Sequence, residues 1–108
     1  MSTIQFSHAN GFPARVYSAL FDQLNEHTIS AINVLGDNRN SSEINWYDLR
    51  DDIIKSVEKI GDVVIGIGHS FGGILTLLAA AKKPELFQNI ILLDPPFCLL
   101  YTSDAADE

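Results

Sequence analysis

Ser70 lies in Gly68-His69-Ser70-Phe71-Gly72, a G-x-S-x-G pattern. The run before it, Val63 to Ile67, is almost wholly apolar, and a helical pattern opens at Phe71. A serine on a sharp strand-to-helix turn has its hydroxyl pushed out at the sheet's carboxyl edge, where it can attack an acyl carbonyl. Such a turn leaves no room for side chains at the flanking positions and forces the serine into strained backbone angles. The Phe71 N–H and the start of the helix then face the negative oxygen that develops during attack. Gly73 extends the small patch and lets the helix pack closely on the strand. His69 is not read as the general base, because the neighbour of a serine in a tight turn points away from its hydroxyl. It lines the turn, packs, or touches substrate.

A second stretch fits the same chemistry. His8-Ala9-Asn10-Gly11-Phe12-Pro13 follows the first strand-like run, Thr3 to Ser7. A loop there supplies the second amide of an oxyanion site. Gly11 lets backbone approach substrate beside Asn10, and Phe12 offers its N–H.

These segments need a scaffold, and the remaining pattern supplies one. Val16, Tyr17, Leu20, Phe21 and Leu24 form one apolar helical face. Ile29 to Leu35 reads as a second strand, and Asn38 to Asn45 as a polar loop. A helix is expected over Trp46–Ile60, with Trp46, Leu49, Ile53, Val57 and Ile60 inward and Gly61 as its C-cap. Another spans Ile74 to Lys83, apolar nearly all round and stopped by Pro84. A last buried strand, Ile90 to Leu93, leads into Asp94-Pro95-Pro96. The βαβαβαβ order calls for a parallel sheet with helices on both faces.

Three stretches, Phe6 to Ala14, Gly66 to Gly73 and Leu92 to Pro96, together resemble the α/β-hydrolase family, and within it small bacterial esterase-like or acyltransferase-like members. The resemblance implies a three-layer, parallel-sheet α/β fold. It is incomplete here, with about four strands and three main helices. It implies Ser70 as nucleophile forming an acyl-enzyme, the Phe71 and Phe12 N–H groups as oxyanion donors, and a small-molecule ester or acyl substrate with no cofactor. It also implies an acid and a histidine later in the chain. Asp94 is a candidate acid; the alternative is an aspartate that caps the turn before Pro95. No histidine follows His69. Residues 1–97 therefore read as the N-terminal part of one hydrolase domain, starting at the family's third strand, its lid also missing. The full-length parent is the expected enzyme, and this stretch alone is expected to be inactive. Asp37 and Arg39 stand where the family often has an Asp-x-Arg-Gly turn, but Asn40 replaces the glycine.

Two other classes compete. Gly66, Gly68 and Gly72 after a strand loosely match a dinucleotide-binding fingerprint, with Phe71 in the place of its third glycine. A non-catalytic α/β ligand-binding domain is the other.

Composition narrows the field. The 108 residues are 46% apolar and 19% charged, which fits a globular domain and not a disordered chain. A net charge of −7 disfavours nucleic acid. No apolar run reaches the roughly 20 residues of a membrane span, and no signal-peptide pattern opens the chain. One cysteine and three histidines without ligand spacing argue against a metal site, and the lone Cys98 fits a cytoplasmic location, an inference that goes with Cys98 if the tail is non-native. The tail is anomalous: Cys98 to Glu108 resembles an in-frame translation of a transposase sequencing adapter and reads as non-native. Without it the charge becomes 7 − 11 = −4. A half-sheet of this kind is also expected to leave an apolar edge and face uncovered.

Overall fold

A computed structural model describes residues 2–35 and 45–96. The loop carrying Asp37, Arg39 and Asn40 and the tail Cys98–Glu108 lie outside the described residues. Among the described residues four strands alternate with three α-helices: β1 (Thr3–Ser7), α1 (Ser18–Gln23), β2 (Thr28–Ala31), α2 (Trp46–Ile60), β3 (Val64–His69), α3 (Phe71–Lys82) and β4 (Phe87–Leu93). All strand pairs are parallel, in the spatial order β2-β1-β3-β4. The chain thus leaves β1 in one direction to β2 and crosses back over it to β3. Such a reversal opens a crevice at the carboxyl ends of β1 and β3, where open α/β sheets bind ligands.

Alternation along the strands divides the core. Ile4, Phe6 and Ile67 form one buried cluster with Tyr17, Leu20, Phe21 and Ile29, on the α1 face. The opposite face packs Val64 against Leu49, Ile53, Ile54 and Val57 of α2 and Leu75 and Ala79 of α3. Helices therefore cover both faces, as the βαβ alternation requires. On the second face β1 contributes polar Gln5 and Ser7, both buried; the Gln5 Oε1 accepts from the Ser56 hydroxyl at 3.0 Å.

The helix over 46–60 lies where its spacing puts it. Asn45, read above as the end of a loop, caps it: its Oδ1 accepts from the Asp48 N–H at 3.0 Å. Gly61 closes it at φ 80°, in the left-handed region. Ile54 joins the core and Trp46 leaves it, half exposed and edge-on to Phe71 at 5.3 Å between centroids.

Other boundaries shift for local reasons. The first helical face is split into a 3-10 turn, Ala14–Tyr17, and a short α1. Pro13 precedes that turn, and the Ala14 N–H is held by the Asn33 carbonyl at 2.8 Å. β2 stops at Ala31, short of Leu35. β3 runs on through His69, and α3 starts at Phe71 with no intervening loop. β4 starts at Phe87, because a 3-10 turn over Pro84–Leu86 delivers the chain directly beside Val64. Gln88 and Asn89 are tolerated there because β4 is a half-exposed edge strand. Ile91 and Leu93 of that strand remain exposed.

Candidate active site

The β3–α3 junction carries the backbone strain that the glycine spacing calls for. Ser70 adopts φ 53°, ψ −118°, a conformation rare for any residue with a β-carbon. Its surroundings hold it there. The Ser70 N–H donates to the Leu93 carbonyl at 2.9 Å, and the Ser70 carbonyl accepts from Gly73 at 2.9 Å and Ile74 at 3.3 Å. Ser70 is thus the N-cap of α3. The Phe71 N–H at the first helical position has no partner in its own helix.

Close approach explains the flanking glycines. A β-carbon on Gly72 would lie 2.2 Å from the Ser7 carbonyl oxygen and 2.4 Å from that of His8. One on Gly68 would lie 2.4 Å from the Gly72 oxygen. Both contacts are with backbone, so neither position has room for a side chain. They seat the first turn of α3 against the ends of β1 and β3. Gly66 is tight for another reason: its β-carbon would meet Phe87 and Thr76 at 3.0 Å. Its smallness serves packing of β4 and α3, not approach to a dinucleotide.

The loop after β1 is tied down by side chains. The His8 imidazole is buried and uses both nitrogens. Its Nε2 accepts from the Leu35 N–H at 2.7 Å, which leaves the proton on Nδ1 to go to the Ala9 carbonyl at 2.7 Å. The Phe12 N–H closes a turn onto the same carbonyl at 3.0 Å, with Gly11 at φ 85° supplying the left-handed residue that the turn needs. In this conformation the Phe12 N–H is engaged within its own loop, and the Phe12 side chain is exposed. Among the described residues the Asn10 N–H has no hydrogen-bond partner. Asn10 also shares a cavity of about 280 Å³ with Phe71, His8, Trp46 and Leu49.

His69 does not line this cavity. Its Nδ1 is 2.8 Å from the Tyr17 hydroxyl, and the two rings meet edge-on. His27 lies at the amino edge of the sheet, just before β2, its Nδ1 accepting from the Ser2 N–H at 3.2 Å. Asp94 follows directly on Leu93 at φ 50°, exposed, at the same carboxyl edge as Ser70. Such φ values are least costly for Asp, Asn and Gly. Pro95 reaches the elbow from the same segment, 3.7 Å from where a Gly73 β-carbon would sit.

A model of the alpha/beta hydrolase fold matches residues 8–107, nearly the whole chain. The chain belongs to the alpha/beta hydrolase fold family. Among curated relatives of this chain, the type I acyl-CoA thioesterase mpaH of Penicillium roqueforti is 28% identical over 82% of this chain and 25% of its own length. Lipase LipV of Mycobacterium tuberculosis is 32% identical over 79% of this chain and 34% of its own. The chain therefore spans about a quarter to a third of the length of these two relatives. The crystal structure of the N-formylmaleamic acid deformylase of Pseudomonas putida superposes with a TM-score of 0.80 at 21% identity, covering 88% of this chain and 39% of that one. That likeness shows the shared fold. Among the described residues no helix is long and apolar enough to cross a membrane.

Proposed function

We propose that this chain carries the nucleophile half of a serine hydrolase that cleaves or transfers an acyl group from an ester or thioester. The observation that supports the reading is Ser70 at φ 53°, ψ −118° between β3 and α3, at the carboxyl edge of the sheet. Strain of this kind, about 1–3 kcal/mol, persists where the surrounding structure over-determines it and clusters at active sites. The thioesterase and the lipase among the relatives support a substrate class of acyl groups on sulfur or oxygen.

The chemistry runs as follows. The Ser70 Oγ attacks the acyl carbonyl and its proton passes to a base. The carbonyl oxygen becomes an oxyanion, held by the Phe71 N–H and a second amide from the loop after β1. For that second amide the geometry favours Asn10 over Phe12. The Phe12 N–H would have to break its bond to Ala9, whereas Asn10 shares a cavity with Phe71. Collapse of the tetrahedral species expels an alcohol or thiol, which takes up the proton, and leaves an ester on Ser70. Water or another acceptor then releases the acyl group.

None of the three histidines is placed to be the base. His8 spends both nitrogens, His69 turns to Tyr17, and His27 is at the opposite edge of the sheet. The base belongs to the part of the whole protein that this chain does not include, and residues 1–108 alone turn over negligibly. Asp94, which follows the Leu93 whose carbonyl holds the Ser70 N–H, is the candidate for the acid that orients the base. The test is a fluorophosphonate probe on the whole enzyme. A mass adduct on Ser70, lost in Ser70→Ala, supports the reading. Absence of labelling with esterase activity retained in Ser70→Ala would overturn it. Vigorous ester hydrolysis by purified 1–108, lost in Ser70→Ala, would refute the assignment of the base elsewhere.

A further inference from the structure

The two segments that flank the reacting centre are far apart in sequence, yet one hydroxyl joins them. We infer that Tyr17 is a positioning residue that fastens the loop after β1 to the nucleophile turn; the inference rests on the serine-hydrolase reading above. The Ala9 N–H donates to the Tyr17 Oη at 2.9 Å, and the same oxygen lies 2.8 Å from the His69 Nδ1. The hydroxyl accepts from Ala9, which leaves its own proton for Nδ1. That arrangement satisfies every group in the chain of contacts and puts the His69 proton on Nε2.

Position makes this contact consequential. His69 is bonded covalently to Ser70, and Ala9 to Asn10. The Ala9 carbonyl is already pinned by the His8 Nδ1–H and the Phe12 N–H. With its N–H also held, Ala9 is fixed at both polar groups, and the direction of the adjoining Asn10 N–H is set. Tyr17 thus controls the spacing between a loop amide and the attacking oxygen without touching either. Its ring is itself immobilised, 4.5 Å from Phe6 and 6.3 Å from Phe21 between centroids. The hydroxyl is therefore presented by a packed aromatic cluster and not by a mobile side chain. Small displacements matter here, since about 1 Å of misplacement can cost on the order of 100-fold in rate.

Tyr17→Phe keeps the ring and deletes the bridge. In the whole enzyme it should lower kcat on a p-nitrophenyl ester, and the rate of fluorophosphonate reaction at Ser70, by about tenfold, with KM within about twofold. Amide hydrogen exchange at Ala9 should accelerate in the same variant. Because both changes cut one link, the Tyr17→Phe/His69→Leu double variant should lose no more than the larger single loss. Rates in Tyr17→Phe within about twofold of the parent, or losses that multiply in the double variant, overturn the inference. If Tyr17→Phe does not fold, His69→Leu decides alone: slower acylation at unchanged KM supports the link, and an unchanged rate overturns it. A parent enzyme that never labels at Ser70 sinks the hydrolase reading instead. Ala9 exchange then still reports on the bridge, and exchange no faster in Tyr17→Phe refutes it.

Discussion

The α-carbon of Gly72 is seated so close to Ser7 that a β-carbon there would fall 2.2 Å from the Ser7 carbonyl oxygen. This contact couples α3 to β1, the strand that leads into the His8–Pro13 loop. Both partners are backbone, so no side-chain rotation relieves the clash. Gly72→Ala should therefore lower stability by about 3 kcal/mol or more, the range of severe overpacking and backbone strain. Gly61→Ala provides the comparison: its site is open, and only the φ of 80° is penalised. It should cost about 1–2 kcal/mol. Thermal or urea melts of the two variants rank them; a milder loss in Gly72→Ala than in Gly61→Ala would contradict the contact.

Ser70 stores strain that glycine would release. Its φ of 53° and ψ of −118° penalise any β-carbon, so Ser70→Ala keeps the strain and Ser70→Gly relieves it. The glycine variant should be more stable than the alanine variant by about 1 kcal/mol, because relief of about 1–3 kcal/mol exceeds glycine's extra unfolded-state entropy. Both should lose fluorophosphonate labelling. Equal melting temperatures would mean that the turn is unstrained.

Ser70, Phe71 and the glycines around them were readable from sequence because a strand-to-helix turn with no loop admits few residue types. The 46–60 helix was readable because apolar spacing and a C′ glycine agree over 15 residues, while its Asn45 cap was hidden in what reads as a polar loop. The Tyr17–His69–Ala9 bridge was not readable. It depends on β1 lying between β2 and β3, a pairing order that local periodicity does not encode. Tyr17 carried only a helical-face signal, and its hydroxyl has no sequence signature. The fate of the Phe12 N–H was hidden for a related reason: Asn-Gly announces a turn but not which amide the turn consumes. The strand ends moved where edge exposure relaxed the pattern, as at Gln88 and Asn89.

Asn10 can be tested by deleting its N–H alone. It occupies the second position of the turn from Ala9 to Phe12, where proline's fixed φ is welcome. Asn10→Pro in the whole enzyme should lower kcat by about 100-fold or more, the usual result of losing one oxyanion donor. Asn10→Ala keeps the amide and should lose at least about tenfold less. Equal losses would place the effect in the side chain.

Asp94 is separable from a turn former by charge. Asp94→Asn preserves shape and the tolerance for φ 50°. If Asp94 orients the base, kcat should fall by about 10³–10⁴-fold with the melting temperature little changed. An active Asp94→Asn enzyme would reduce Asp94 to a role in the turn before Pro95.

A cross-helix pair gives the pH dependence of stability. Asp51 on α2 meets the Lys82 Nζ of α3 at 3.1 Å and the Arg50 guanidinium at 3.0 Å. Partial burial pushes its carboxyl pKa up, but the hydrogen bonds and charges of Lys82 and Arg50 outweigh this and hold it below the usual carboxylate value. A depressed folded-state pKa stabilises the fold above the unfolded pKa of about 3.9, and that contribution fades as pH falls through the folded value. The pair is well exposed, so the gain is at most about 1 kcal/mol and shrinks with salt. Asp51→Asn should lower the melting temperature slightly at pH 7 and low ionic strength. It should match the parent at pH 2.5 or in 1 M salt. A difference between the two proteins that persists at pH 2.5 would assign the effect to packing of α2 on α3 rather than to charge.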